Sequence, residues 1–325
     1  MRLELSMKGS AESVNFYHKK PSVSLFATIL LIVSLSLPGK VSALLAGDTD
    51  GNGSVSITEV QCVINSFLGL TPNMTPTITI TPGGLIYGLE STFSVIGSNL
   101  DQAITVTASG ACSVLTEKAG GTSSSRTFSC VPSSIGPLSI SVTTPTGSVL
   151  QQSTMTIPRP VVTMVTSSGT IVIELQPEKA PLTVNNFLQY VHDGFYRNTI
   201  FHRVVSGFVI QGGGQSADGT PKTFRPPIKL EAPYATGLSN IQGTIAMART
   251  SSLTSATSQF FVNTVDNKAS LDTPLLTSTG YGYGYAVFGY VSQGMDVVKA
   301  IEAVAIDSNS APVAMITIVL ATQTQ

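Results

Sequence analysis

The chain has 325 residues, a formal net charge of -1 and only 11% charged side chains. No basic patch or tail is present, which argues against nucleic acid or another polyanion as a partner. This length favours two or three domains, and the abundance of Val, Ile, Thr, Ser and Gly favours sheets and turns over long helices.

His18, Lys19 and Lys20 precede an apolar run from Val23 to Leu37, and Pro38, Gly39, Ser42 and Ala43 follow it. A basic stretch, an apolar run of about 15 residues and small residues at its end make a secretory signal. A membrane span needs roughly 20. Residues 1–43 are therefore expected to be a signal peptide. The mature protein is expected in the periplasm or secreted, meeting a membrane only during export.

Within residues 44–69, Gly47 to Gly69 reads GDTDGNGSVSITEVQCVINSFLG. Asp48, Asp50, Asn52, Ser54 (through its carbonyl), Ser56 and Glu59 offer oxygen ligands at the spacing of a calcium loop, with Gly53 at the sharp turn. A helix from Thr58 would carry Val60, Val63, Ile64, Phe67 and Leu68 on its apolar side. The stretch resembles the calcium-binding repeat of dockerin modules. That resemblance implies one EF-hand-like loop and helix holding structural Ca2+. Dockerins normally carry two such repeats, so the single copy implies self-association, or contact with a neighbouring domain or protein partner, through the helix.

Residues 70–76 read as a linker. Between 77 and 157, apolar residues alternate at Ile78 and Ile80, Phe93 and Val95, Ile104 and Val106, and Leu138, Ile140 and Val142, with Gly, Pro and Asn between the runs. The pattern predicts an immunoglobulin-like β-sandwich acting as a spacer or interaction domain. Cys112 and Cys130 flank a Gly/Ser-rich loop, and in an exported protein they are expected to form a disulfide worth roughly 3 kcal/mol. Cys62 is the odd cysteine, and no cysteine has a neighbour at zinc-ligand spacing.

The remaining segment, 158–325, carries the chemistry. Val161–Val165 and Thr170–Leu175 alternate about a turn at Ser167–Gly169, as a hairpin does. Helices are predicted over Glu178–Val191, with Pro181 in the first turn, and over about Met295–Val304. Two helices among many short strands predict a closed antiparallel β-barrel with two capping helices. His192 and His202 have no Ser-His-acid arrangement. Gly212 to Gly214 open no helix and are expected to permit a close turn rather than cradle a phosphate. Hydrolysis thus lacks a nucleophile and a base. FHRVVSGFVIQGGG, Phe201 to Gly214, instead sets one cation, Arg203, among Phe201, Phe208, Val209 and Gln211. Strand parity puts Phe201 with Arg203 and Val209 with Gln211, while Phe201, Phe260 and Phe288 are expected in the barrel core. Glu231 and Arg225 receive no role.

That stretch and three later ones, GTIAMART (Gly243 to Thr250), SQFFVN (Ser258 to Asn263) and GYAVFG (Gly284 to Gly289), resemble the cyclophilin family of peptidyl-prolyl cis-trans isomerases, especially its exported bacterial members. The resemblance covers about residues 160 to 322. It implies rotation about X-Pro bonds of other exported proteins, with proline-containing polypeptides as partners and no catalytic cofactor. It further implies a catalytic Arg203 assisted by Phe208 and Gln211, and a proline pocket of Phe208, Val209, Phe261 and Leu271 with Met247 close by. Groove contacts fall on Gln211, Ala248, Arg249, Gln259 and Tyr285. Val209 stands where the family usually has methionine, and Tyr285 and Arg249 where eukaryotic members have histidine and asparagine. Ser270 takes the place of an aromatic residue, a loss that should weaken cyclosporin binding more than catalysis. The alternative keeps the fold as a proline-peptide adaptor anchored through the calcium repeat and sandwich.

Overall fold

The structure is a computed structural model that describes residues 78–325, apart from 99, 101, 102, 273, 274, 278 and 279, together with Val55, Glu59 and Val60. Backbone alone is described at 275–277 and 280–282. The predicted signal peptide and linker lie outside the described residues, as do Cys62 and every predicted calcium ligand except Glu59. The chain divides into two compact units, Met1–Met74 and Thr75–Gln325.

The second unit begins with seven strands: β1 (Ile78–Pro82), β2 (Ser91–Gly97), β3 (Thr105–Gly110), β4 (Thr116–Glu117), β5 (Ser125–Cys130), β6 (Gly136–Thr143) and β7 (Val149–Ile157). They form two antiparallel sheets, ordered β1-β2-β5-β4 and β3-β6-β7. The predicted alternation sets their faces, since Phe93 and Val95 of β2 and Leu138, Ile140 and Val142 of β6 are buried while their neighbours are not. Cys112 and Cys130 are joined in a disulfide, with their Cα atoms 6.2 Å apart.

The barrel follows. Its strands are β8 (Val161–Thr166), β9 (Gly169–Leu175), β10 (Thr199–Val205), β11 (Val209–Ser216), β12 (Thr244–Met247) and β13 (Phe260–Asn263). After a small hairpin, β14 (Leu275–Thr277) and β15 (Gly280–Gly282), come β16 (Val287–Gln293) and β17 (Thr317–Gln323). Eight of them close in the order β10-β11-β13-β12-β16-β9-β8-β17, and β17 pairs back onto β10. The expected hairpin is β8–β9, whose register runs from Val161 against Glu174 to Thr166 against Gly169.

Four helices accompany the barrel: α1 (Pro181–His192), α2 (Pro233–Thr236), α3 (Lys268–Leu271) and α4 (Met295–Glu302). Two of them, α1 and α4, are the helices the apolar spacing predicts. Phe187 of α1 enters the core, its ring centroid 5.1 Å from Phe288, 5.2 Å from Tyr196 and 5.8 Å from Phe260. Phe201 meets Phe260 edge-on at 6.0 Å. Such pairs add about 0.5–1.5 kcal/mol each beyond the area they bury. Glu231, unassigned from sequence, accepts the N–H groups of Leu182 (3.1 Å) and Thr183 (2.8 Å) and the Thr183 hydroxyl (2.7 Å). It thereby caps the free donors of the first turn of α1, where a negative charge also complements the positive end of the helix dipole. Arg225 pairs with Asp193 just beyond the other end of α1.

Candidate active site

Two apolar clusters share the barrel wall. Phe260 lies in the interior core, whereas its neighbour Phe261 belongs to a separate cluster with Val209, Ala246, Leu271 and Val287, because adjacent strand residues face opposite sides. Phe208, Leu238, Ala248 and Tyr285 border that second cluster. The buried floor is closely shielded: Val209 is 2% exposed, Phe261 5% and Leu271 8%.

Strand register brings the cation to this surface. Arg203 lies opposite Gln211, Gln211 opposite Phe261, Phe261 opposite Ala246, and Ala246 opposite Val287. Opposed residues share a face, and neighbouring strands are about 4.8 Å apart. The backbone of Arg203 therefore stands about 10 Å, two strand spacings, from that of Phe261. The Arg203 Nη1 donates to Gln211 Oε1 at 3.3 Å, and Gln211 Nε2 donates to Gln259 Oε1 at 3.0 Å. Among the described residues no carboxylate lies within ion-pair distance of Arg203.

Two expectations about this strand pair are corrected. Phe201 and Arg203 do not share a face: register slips between Phe201 and Arg203, so the extra residue of a bulge sends Phe201 inward and Arg203 outward. The glycines Gly212 to Gly214 make no turn but continue β11. A Cβ at Gly214 would lie 2.5 Å from the Gln259 side chain, so this glycine makes room for the third member of the hydrogen-bond chain.

Of the other predicted residues, Val209, Phe261 and Leu271 belong to this buried cluster, and Phe208, Ala248 and Tyr285 pack against it. Met247 is not brought into that cluster. It is 1% exposed, lies opposite Phe260 and belongs to the interior core, one step of strand alternation away from Ala246 and Ala248. Arg249 stacks 4.8 Å from the centroid of Tyr285 and donates twice to the Gly284 carbonyl, at 2.8 and 3.0 Å. Tyr285 in turn meets Phe261 edge-on at 5.6 Å. Ser270, where the resemblance expects an aromatic, is an exposed residue of α3 whose hydroxyl donates to the Asn267 carbonyl.

Sequence reasoning missed what holds this surface in place. Three buried asparagines, Asn240, Asn263 and Asn267, form a polar ladder beside the cluster. Asn240 Nδ2 donates to the carbonyls of Leu271 (3.3 Å) and Tyr285 (3.2 Å) and to Asp272 Oδ1 (2.8 Å). Asn263 Nδ2 donates to Asn240 Oδ1 at 3.2 Å, and Asn267 Nδ2 to Asn263 Oδ1 and to the Phe208 carbonyl, both at 2.8 Å. The backbones carrying Phe208, Leu271 and Tyr285 are thus tied together by one network, as buried amides require to be satisfied. The only hint in the sequence is the four-residue spacing of Asn263 and Asn267 beside an apolar run.

For calcium, Asp48, Asp50, Asn52, Ser54 and Ser56 lie outside the described residues, while Glu59 is described and 4% exposed. Among the described residues no group of three or more His, Cys, Asp or Glu side chains is placed to hold a metal ion.

Comparison with known proteins agrees with this geometry. The profile of the family described as cyclophilin type peptidyl-prolyl cis-trans isomerase/CLD matches residues 161–323. The chain is 50% identical over 143 residues to peptidyl-prolyl cis-trans isomerase A of Dickeya dadantii, covering 44% of this chain and 71% of that protein. It is 51% identical over 147 residues to isomerase B of Escherichia coli (44% and 85% covered), and 52% identical over 139 residues to isomerase cyp18 of Streptomyces antibioticus (43% and 81%). With an eight-stranded closed barrel, a family profile that matches residues 161–323 and this extent of identity, the chain belongs to the cyclophilin-type peptidyl-prolyl cis-trans isomerases.

Proposed function

We propose that Arg203 is the catalytic residue and that Phe208, Val209, Phe261 and Leu271 hold the proline ring of a polypeptide substrate. An X-Pro amide resists rotation by about 20 kcal/mol because the nitrogen lone pair is delocalised into the carbonyl. No bond breaks during the turn, so neither nucleophile, general base nor cofactor is needed. At the twisted midpoint the lone pair is localised on nitrogen, and a guanidinium directed there interacts with it better than with either planar form. Arginine suits the task because it remains charged and presents a rigid donor fork. Gln211, held by Gln259, fixes the orientation of that fork. Ala248, Arg249 and Tyr285 border the groove along which the peptide lies.

The observation that carries this reading is the cross-strand row from Arg203 through Gln211 to Phe261, which sets a guanidinium without an ion-pair partner among the described residues on the same face as the apolar cluster. The test is turnover of a proline tetrapeptide by the wild type and by Arg203→Ala. Losing one preorganised electrostatic contact should cost about 10²-fold or more in kcat. Equal rates would remove Arg203 from the mechanism.

For the rest of the chain we propose an exported protein of four parts after cleavage near Ala43: a dockerin-like calcium repeat at 44–69, a linker at 70–76, an immunoglobulin-like region at 77–157 and the isomerase at 158–325. The ligand spacing from Asp48 to Glu59 and the alternation of the second region support it. In this arrangement the isomerase assists folding of other exported proteins. Recovery of exported protein with its N-terminus intact would refute cleavage, and a melting temperature that millimolar calcium leaves unmoved would refute the metal site.

A further inference from the structure

Two further aromatic rings, Tyr283 and Tyr234, lie on segments next to Tyr285 and Leu238. Tyr283 precedes Tyr285 by two residues, so their Cα atoms lie within about 7 Å of one another. Tyr283 is 36% exposed, and its ring centroid is 6.2 Å from that of Tyr234, which is 71% exposed, with the two planes tilted by 47°. A single tyrosine in solvent needs no explanation. Two in mutual contact, on segments that flank the Phe261 cluster and in a chain without tryptophan, form a platform.

The two rings come from separate segments, and both segments are anchored to the pocket. Tyr234 lies on α2, and Leu238, just beyond that helix, packs against the pocket cluster. Asn240 then ties this segment to Leu271, Asp272 and Tyr285. On the other side, the Gly284 carbonyl between Tyr283 and Tyr285 accepts both bonds from Arg249. Gly284 has a φ of +73°, and a Cβ there would stand 2.6 Å from the Leu271 carbonyl oxygen, so only glycine allows this close crossing. The approach of Tyr283 is set before any ligand arrives, which reduces the ordering cost of binding.

We propose that Tyr234 and Tyr283 form a second substrate subsite, which takes an aromatic or branched apolar side chain about two residues along the polypeptide from the proline. The proposal rests on the groove reading of the preceding subsection. Ring faces exposed at a tilt receive an apolar side chain between them, while the phenolic hydroxyls remain free to bond the peptide backbone. A substrate would then be read at two points, a proline in the pocket and a large apolar residue on the platform.

The test uses the full chain and peptides with one proline, carrying either Phe or Gly two residues before it or two residues after it. NMR titration measures binding, and cis-trans exchange in the same spectra measures turnover. Because both rings are exposed, the double variant Tyr234→Ala/Tyr283→Ala should retain its fold and its turnover of the Gly peptides. The wild type should bind the Phe peptide about tenfold more tightly than the Gly peptide on one flank of the proline, and the double variant should bind the two alike. No Phe preference in the wild type, or a preference that survives in the double variant, overturns the subsite. Arg203→Ala separates the two readings: it should keep the Phe preference while losing exchange. Full exchange in Arg203→Ala would instead defeat the catalytic assignment and leave the binding result standing.

Discussion

His202 neighbours the catalytic candidate on β10, and its surroundings disfavour the protonated ring. Burial is the larger influence and the Arg203 guanidinium the next, and both hold its pKa below the usual histidine value. Its Nδ1 is buried without a hydrogen-bond partner among the described residues. The folded protein therefore keeps His202 neutral where the unfolded chain begins to bind a proton, near pH 6.5. Below that pH the unfolded state holds more protons than the folded one, so stability is full above the window and falls as pH drops through it. Thermal unfolding followed from pH 7.5 to 5 should show this loss in the wild type and a flatter profile in His202→Gln. Parallel profiles would mean that His202 takes up its proton without resistance in the folded protein.

At the scale of elements, the two main helices and the first hairpin were legible because each rests on a local repeat. The apolar spacing of Val184, Phe187, Leu188 and Val191 marks α1, and strict alternation marks β8 and β9. The isomerase family was legible by another route, through motifs whose order in the chain matches that family. What escaped was set by contacts between distant segments. Parity assigns Phe201 and Arg203 to one face unless a bulge intervenes, and nothing local in FHRVV announces one. Met247 looks like its neighbours until register places it opposite Phe260 rather than Phe261. The asparagine ladder joins positions more than 20 residues apart, so no window of sequence displays it. Glu231 likewise finds α1 across nearly 50 residues. Each of these is a satisfied polar group or a packing choice, and its partner becomes visible only when the chain has closed.

Across the whole second unit, the question is whether the two-sheet region and the barrel behave as one body. Only Pro158, Arg159 and Pro160 separate β7 from β8, and the two prolines fix φ on either side of an arginine that pairs with Glu174 and Glu178. Tyr87, between β1 and β2, supplies the contact. It is 1% exposed, its hydroxyl donates to Asn185 Oδ1 of α1 at 2.8 Å, and its carbonyl accepts from Gln323 Nε2 of β17 at 3.1 Å. Burial is also the main reason its phenol resists ionisation. Removing the hydroxyl in Tyr87→Phe should cost about 1 kcal/mol, the net worth of one hydrogen bond. Tyr87→Ala should cost about 3–5 kcal/mol, as for other large aromatics cut from a core. If this ring couples the two parts, calorimetry of the full chain should show them melting together in the wild type and as two resolved transitions in Tyr87→Ala, with isomerase turnover retained below the first. A single transition unmoved by the alanine would show that the coupling runs through the proline connector instead. Two transitions already present in the wild type would show that each part melts on its own, whatever Tyr87 contributes to the contact between them.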